Sequence, residues 1–386
     1  MANNKSVFSL KAFLYFFNST GTLIISFLPL YFRDKGLSVS EIGTVLSVGP
    51  FAALLVQPMS GYLSDKYKTV KVILLICLIG VLISSTILFK MESFFPVLIM
   101  IAVFYMFMGP IGPLADSLSH RAASLSGVPF GSIRMWGSIG FAVTSLAGGL
   151  VLEKIGIENL MYPYFILASG ALLTVLLVRD VTVSSVPVTF YEASRLLKKP
   201  ELSIFLLLIV FITVAHRTND SFMGLYIESL GGTEMLIGWA WFIAVAAEAL
   251  VFATSGLWFR KYHELTFLTV AGLFYSVRFA LMSFVVNPVM ILFLQPLHGV
   301  TFGLFYMASF QYVTKILPRH LLGTGHLLLI AVFFNVSGII SAMFGGMIFE
   351  RAGADTLYQI IGVSAMIGSL CLLAYKQSLL RWKKAV

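Results

Sequence analysis

Apolar positions in this chain gather into long runs, and polar positions gather between them. Runs lie at 10–32, 41–63, 71–90, 94–117, 131–152 and 160–179, then at 202–229, 235–257, 265–286, 289–315, 321–347 and 356–377. Each ends in charged residues or in Gly and Pro, the usual punctuation of helices. About 20 mostly apolar residues make a helix that crosses the ~30 Å hydrocarbon core of a bilayer. The pattern therefore predicts twelve spanning helices. One polar stretch is longer than the others, Arg179 to Glu201, and it divides the runs six and six. Within it, Tyr191–Leu197 with the neighbouring Arg195, Lys198 and Lys199 predicts a short amphipathic helix on the membrane surface.

The two halves share sequence. Residues 30–43 read LYFRDKGLSVSEIG and residues 225–238 read LYIESLGGTEMLIG, an offset of 195. Residues 60–67, SGYLSDKY, return at the same offset as SGLWFRKY in 255–262. Residues 148–156, GGLVLEKIG, return at an offset of 197 as GGMIFERAG. Ordered matches at nearly one offset point to a parallel duplication, the plan of rocking transporters with a site at the midplane. The fold class expected is an all-α membrane protein of two pseudo-symmetric six-helix bundles. They cover 1–179 and 202–386 and are joined by a cytoplasmic linker at 180–201.

Composition narrows the function. Apolar residues are 59% of the 386, charged residues 11%, and mean hydropathy is +0.94. An ordinary soluble domain is about 25% charged. So few charges cannot cover this surface in water, which excludes a soluble enzyme, a disordered chain and a secreted disulfide module. Cys77 and Cys371 sit in apolar runs and supply neither a disulfide framework nor a zinc spacing, so no metal and no cofactor is expected. The first apolar run is too long for a signal sequence, and no cleavable leader is expected.

The net charge of +9 would suggest nucleic acid in a soluble protein. Here its distribution explains it. With both termini on one side, that side collects 18 of the 26 Lys and Arg, and the opposite side 5. Arg134, Arg217 and Arg278 fall inside spans. The bias places both termini in the cytoplasm and makes the charge a topology signal. The expected setting is the cytoplasmic (plasma) membrane, crossed many times by a monomer.

Ionisable residues inside spans are expensive and usually functional. Asp116 on the fourth helix and Arg134 on the fifth are each nine residues from Leu125, so they share one depth and can pair. Unpaired, each would carry a large desolvation cost. Helices seven to ten carry Arg217 with Asp220, then Glu248, Arg278 and His298. Equal spacing from their connecting loops puts these at compatible depths too. Carboxylate, guanidinium and imidazole together are the groups proton coupling requires. Each also has a structural reading. Arg217 and Asp220 at i, i+3 can pair along their own helix, Asp116 and Arg134 can be a register-fixing ion pair, and His298 can be a satisfied core histidine. Helix 1 adds a polar run, Asn18, Ser19, Thr20 and Thr22.

The residues also carry a resemblance. Gly61-Tyr-Leu-Ser-Asp65-Lys66 resembles the loop signature between helices 2 and 3 of the major facilitator superfamily, with Tyr67-Lys68-Thr69 where Gly-Arg-Arg is usual. Pro113-Leu-Ala-Asp116-Ser and Phe130-Gly131-Ser-Ile-Arg134-Met135-Trp136-Gly137-Ser138 resemble its lactose-permease-like branch. They are still more similar to the phenylpropionate permease-type and nucleoside symporter-type members. The resemblance implies that Gly61 permits close helix approach and that Asp65 and Lys66 serve conformational change. It implies that Asp116 and Arg134, with Glu248, hold solute, and that Arg278 and His298 match the proton site. Two positions depart. Thr301 stands where the sugar permeases have a proton-carrying glutamate three residues after the histidine. Phe141 stands where they stack a Trp on the sugar ring.

The function expected is a proton-coupled symporter. It imports a small polar or amphipathic organic solute (sugar or oligosaccharide, nucleoside or aromatic carboxylate) by alternating access. Asp116, Arg134, Glu248, Asn18 and Phe141 would bind solute, and Glu248, Arg278, His298 and Asp220 would couple protons. The alternatives are an exporter and a transport-inactive sensor. Leu146-Ala147 before Gly148-Gly149 lacks the Gly-Pro of the antiporter signature, which argues against export by drug/proton exchange. No Ser/His/Asp order or metal cluster stands at membrane depth, so no enzyme is expected.

Overall fold

The structure, a computed structural model, describes residues 2–180, 194–259, 262–318 and 321–385. Six helices come first: α1 Ala2–Asp34, α2 Val39–Tyr67, α3 Lys71–Leu88, α4 Phe94–Ser126, α5 Phe130–Ile155 and α6 Met161–Leu177. Four more are α7 Pro200–Ser229, α8 Glu234–Trp258, α9 Glu264–Met282 and α10 Val289–Ile316. The last apolar segment, Leu322–Leu379, is 58 residues long. At about 1.5 Å per residue it is far too long for one crossing. Gly353 (φ 86°, ψ 164°) breaks it into α11 (322–352) and α12 (354–385). No strand is present among the described residues. The chain is an all-α membrane protein of the twelve-span kind. Of the expected surface helix Tyr191–Leu197, residues 191–193 lie outside the described residues, and 194–196 form a helical turn.

Short-range chemistry sets the turns. Gly36 (φ +86°) ends α1 in the left-handed region that glycine enters without strain. Ser38 then caps α2: its hydroxyl accepts from the Glu41 amide, and the Glu41 carboxylate accepts from the Ser38 amide at 2.8 Å. The duplication is visible in the backbone. Gly231 (φ +80°) repeats Gly36 at an offset of 195, and Gly353 (φ +86°) repeats Gly156 (φ +86°) at 197. It is visible in side chains as well. Tyr31 donates to the Phe89 carbonyl at 2.7 Å, and Tyr226, 195 residues on, donates to the Met282 carbonyl at 2.7 Å.

Three helices depart from regular geometry inside the membrane. Regular helix is interrupted in α4 at Gly109–Pro110; Pro110 lacks an N–H, and Pro113 lacks the N–H that would bond the Gly109 carbonyl. The side-chain amide of Gln57 on α2 donates to that carbonyl at 3.2 Å, so the freed acceptor is satisfied. In α10, residues Gly299–Gly303 form a π-helical turn, and Ala331–Val336 form another in α11. Such widened turns recur at functional sites.

The chain divides into two compact units. One comprises Met1–Pro187 with Thr233–Phe242, the other Val188–Gly232 with Ile243–Val386. The start of α8 thus groups with the first unit, where it lies tight against α5. A Cβ on Gly238 would stand 2.4 Å from the Ser145 carbonyl, and one on Gly149 2.6 Å from the Glu234 carbonyl. Outward faces are apolar. Phe95, Ile166, Leu177, Leu257, Phe284 and Phe293 are each at least 70% exposed. This is the surface of a chain solvated by lipid.

Candidate functional site

In the first unit the α4–α5 hairpin brings Asp116 and Arg134 together. Arg134 Nε lies 3.2 Å from Asp116 Oδ1, and both side chains are nearly half exposed. The hairpin turns at Gly127 (φ +70°), and His120 stacks on Phe130 across it with ring centroids 3.8 Å apart. Asn18 reaches this place from α1. A Cβ on Gly137 would stand 2.6 Å from the Asn18 amide nitrogen and 2.9 Å from an Arg134 guanidinium nitrogen. One amide hydrogen of Asn18 goes to the Leu14 carbonyl at 2.8 Å. Phe141, one turn further along α5 than Gly137, meets Trp241 of α8 edge to face at 5.7 Å. An ion pair, a side-chain amide and two rings therefore line one stretch of α5.

In the second unit four helices meet around Arg278, which is 1% exposed. Its guanidinium donates to Gln295 Oε1 at 2.6 Å, to Thr301 Oγ1 at 3.4 Å and to His298 Nδ1 at 3.2 Å. That last bond makes Nδ1 the acceptor, so the ring proton of His298 sits on Nε2. His298 Nε2 faces Glu248 Oε2 of α8 at 4.0 Å. Asp220 of α7 takes Arg217 NH1 at 2.9 Å and His216 Nε2 at 3.4 Å, both on Oδ2. His216 stacks on Phe302 at 4.7 Å and 12°, and its ring lies 5.8 Å from that of His298. Both imidazoles are buried, as is Asp220. The π-helical turn of α10 supplies Thr301 and Phe302 to this cluster.

Residues 7–360 match the model of the MFS_1 like family. The chain belongs to this family. A Bacillus subtilis (strain 168) relative, the uncharacterized transporter YwbF, is 30% identical over 375 residues, covering 93% of this chain and 91% of that protein. The maltose permease of Geobacillus stearothermophilus is 26% identical over 377 residues, covering 96% and 94%. Among solved structures, the nucleoside transporter NupG superposes with a TM-score of 0.84 at 17% identity, covering 95% of this chain and 98% of that one. At that identity the likeness is one of fold. The family and these relatives are transporters, and the chain is a multi-pass transporter of the major facilitator type.

Within this member of the MFS_1 like family, the expected residues fall into two groups. Asp116, Arg134 and Asn18 come together in the first unit, and Glu248, Arg278 and His298 in the second. Asp220 meets Arg217 and His216 rather than Glu248. Ser19 and Thr22 are fully buried: the Ser19 hydroxyl donates to the α5 carbonyl of Gly140 (3.2 Å), and that of Thr22 lies between the Asn18 carbonyl of its own helix (3.0 Å) and the α5 carbonyl of Phe141 (3.3 Å), so both sit in a helix seam. Thr20 bonds its own helix at Phe17. A Cβ on Gly61 would meet nothing within 4 Å. Asp65 and Lys66 lie in the last turn of α2, where Lys66 Nζ sits over the Tyr62 and Tyr67 rings at 6.0 and 5.6 Å. Sequence reasoning missed His216, Gln295 and Trp241. The signal for His216 was its i, i+4 spacing to Asp220. Gln295 was a lone amide in an apolar run.

Proposed function

We propose that this chain is a proton-coupled symporter. It imports a small polar or amphipathic organic solute (a sugar or oligosaccharide, a nucleoside or an aromatic carboxylate) by alternating access of its two six-helix bundles. Asp116, Arg134, Glu248, Asn18 and Phe141 bind the solute. Glu248, Arg278, His298 and Asp220 couple protons. Gly61, Asp65 and Lys66 belong to the conformational change. The protein works as a monomer in the cytoplasmic (plasma) membrane with both termini in the cytoplasm.

The observation that carries this reading is the Asp116–Arg134 pair. An ion pair inside a span costs desolvation on both partners. A purely structural pair gains by full burial among other donors, whereas this one stays nearly half exposed within an apolar bundle. Charged groups kept open at membrane depth are suited to a polar solute. The titratable cluster of the second unit adds the groups proton coupling needs.

The test uses purified protein in proteoliposomes with a pH electrode in the external buffer. Maltose, uridine and 3-phenylpropionate are added in turn, and each is repeated with Asp116→Asn. Alkalinisation on adding one solute, absent in the variant, is the expected result. No pH change with any of them, together with no radiolabelled counterflow, overturns the reading for these solutes and brings export forward.

A further inference from the structure

We propose that the coupling proton is carried by Asp220 Oδ1, with His216 as the residue that positions it. This rests on the symporter reading above and assigns its proton site. The position used by the sugar permeases is closed in this chain, because Thr301 has no titratable group and serves as an acceptor for Arg278. Asp220 offers what a proton site needs. Its two oxygens are sharply unequal. Oδ2 accepts from Arg217 at 2.9 Å and has His216 Nε2 3.4 Å away, while Oδ1 is buried with no hydrogen-bond partner. A proton adding to Oδ1 removes a buried charge without breaking the Arg217 bond to Oδ2. The step is a simple protonation. A hydronium ion gives up its proton, breaking one O–H bond there and forming one on Oδ1; nothing in the protein is cleaved, and on release the proton passes to a water molecule on the other side, reforming hydronium.

His216 fits a positioning role. It lies one turn before Asp220 on α7, so the pair keeps its geometry however neighbouring helices move. Its ring is clamped against Phe302 at 12°, which aims Nε2 at Oδ2 and leaves Nδ1 buried without a partner. The groups facing Asp220 are Arg217 and His216 on α7, Tyr275 and Arg278 on α9, His298 on α10 and Tyr358 on α12. Arg217 is the nearest cation among them, and Arg278 is a second. Arg278 is buried, its hydrogen-bond partners are all neutral, and it makes no ion pair among the described residues. Ionised Asp220 sets one negative charge against the two cations Arg217 and Arg278, and protonated Asp220 sets none. The protonation state of one carboxylate therefore changes the charge balance where α7, α9 and α10 meet. Glu248 is the rival carrier. It is more exposed (21% against 8%), and its Oε2 lies 4.0 Å from His298 Nε2.

The experiment is infrared difference spectroscopy of the full chain in lipid nanodiscs, titrated from alkaline to acid pH. The expected result is a protonated-carboxyl C=O band that is absent in Asp220→Asn and retained in Asp220→Glu and in Glu248→Gln. In His216→Leu the midpoint of that band moves by about tenfold in proton concentration. A band that persists in Asp220→Asn, vanishes in Glu248→Gln, or keeps its midpoint in His216→Leu overturns the proposal. The readout needs no solute, so it decides the proton site even if no solute drives proton uptake. Where wild-type proteoliposomes accumulate maltose, uridine or 3-phenylpropionate under an acid-outside gradient, Asp220→Asn keeps exchange and loses accumulation. Equal loss of both, with Asp220→Glu failing to rescue, assigns Asp220 a structural role and overturns it.

Discussion

Arg278 donates to Thr301 Oγ1 at 3.4 Å, and these two residues define how the second unit handles charge. A guanidinium buried at membrane depth normally pairs with a carboxylate. Here its neighbours Thr301, Gln295 and His298 are neutral acceptors held on one helix, α10. Gln295 makes the shortest of the three bonds, 2.6 Å. Gln295→Leu leaves one guanidinium nitrogen of Arg278 without its acceptor. An unsatisfied buried donor costs about 1–3 kcal/mol, and more when charged. The thermal unfolding midpoint of the detergent-solubilised variant falls well below wild type, whereas Gln295→Glu, which restores the acceptor, recovers most of the loss. An unchanged midpoint in Gln295→Leu contradicts this account.

Arg134 and Asp116 support a different prediction. Nε of Arg134, part of a planar guanidinium, makes the contact with Asp116 Oδ1 at 3.2 Å. Lysine keeps the charge but not the planar group. Arg134→Lys is expected to stay folded and to lose at least about tenfold in solute uptake, the cost of one charge-assisted bond of about 1.5–3 kcal/mol. Uptake by Arg134→Lys equal to wild type would mean that charge alone suffices.

Much of this was legible beforehand, for a physical reason. A bilayer imposes one length on every span, so twelve apolar runs announce twelve helices even where Gly353 is the only break between the last two. The duplication was readable in short strings because its glycines sit at φ values that only glycine adopts cheaply, Gly36 with Gly231 and Gly156 with Gly353. The Asp116–Arg134 pair followed from counting along a hairpin. Side-chain partners were harder. Ser19 and Thr22 look like cavity residues in a polar run, yet helix packing turns them toward α5 carbonyls. His216 was hidden because a histidine adjacent to Arg217 reads as part of one polar patch. Only the α7 phase and the stacking on Phe302 separate the two. Trp241 meets Phe141 through a contact between α5 and the start of α8 that no local pattern encodes.

The repeated tyrosines predict equal effects in both units. Tyr31 and Tyr226 each donate to a carbonyl at the end of the third helix of their unit, at 2.7 Å in both cases. Tyr31→Phe and Tyr226→Phe each remove one buried hydrogen bond, worth about 0.5–1.5 kcal/mol. The two variants are expected to lower the thermal midpoint by similar amounts, and the double variant by their sum, since the sites lie in separate units. A loss confined to one of them would show that the duplication is no longer matched in energy.

Gln57 and Pro113 give the sharpest test of how a broken span is kept stable. Pro113 removes the donor that would have bonded the Gly109 carbonyl, and Gln57 replaces it from the neighbouring helix at 3.2 Å. Gln57→Leu should therefore strand a carbonyl in a region without water, at a cost of about 1–3 kcal/mol. Pro113→Ala gives the chain back its own N–H, so Gln57→Leu made in that background should cost much less. A double-mutant cycle on the thermal midpoint measures the difference. Strong coupling between Gln57 and Pro113 would show that the amide is there to repair the break. Independent, additive losses would mean that the Gln57–Gly109 bond holds α2 to α4 for some reason unrelated to proline.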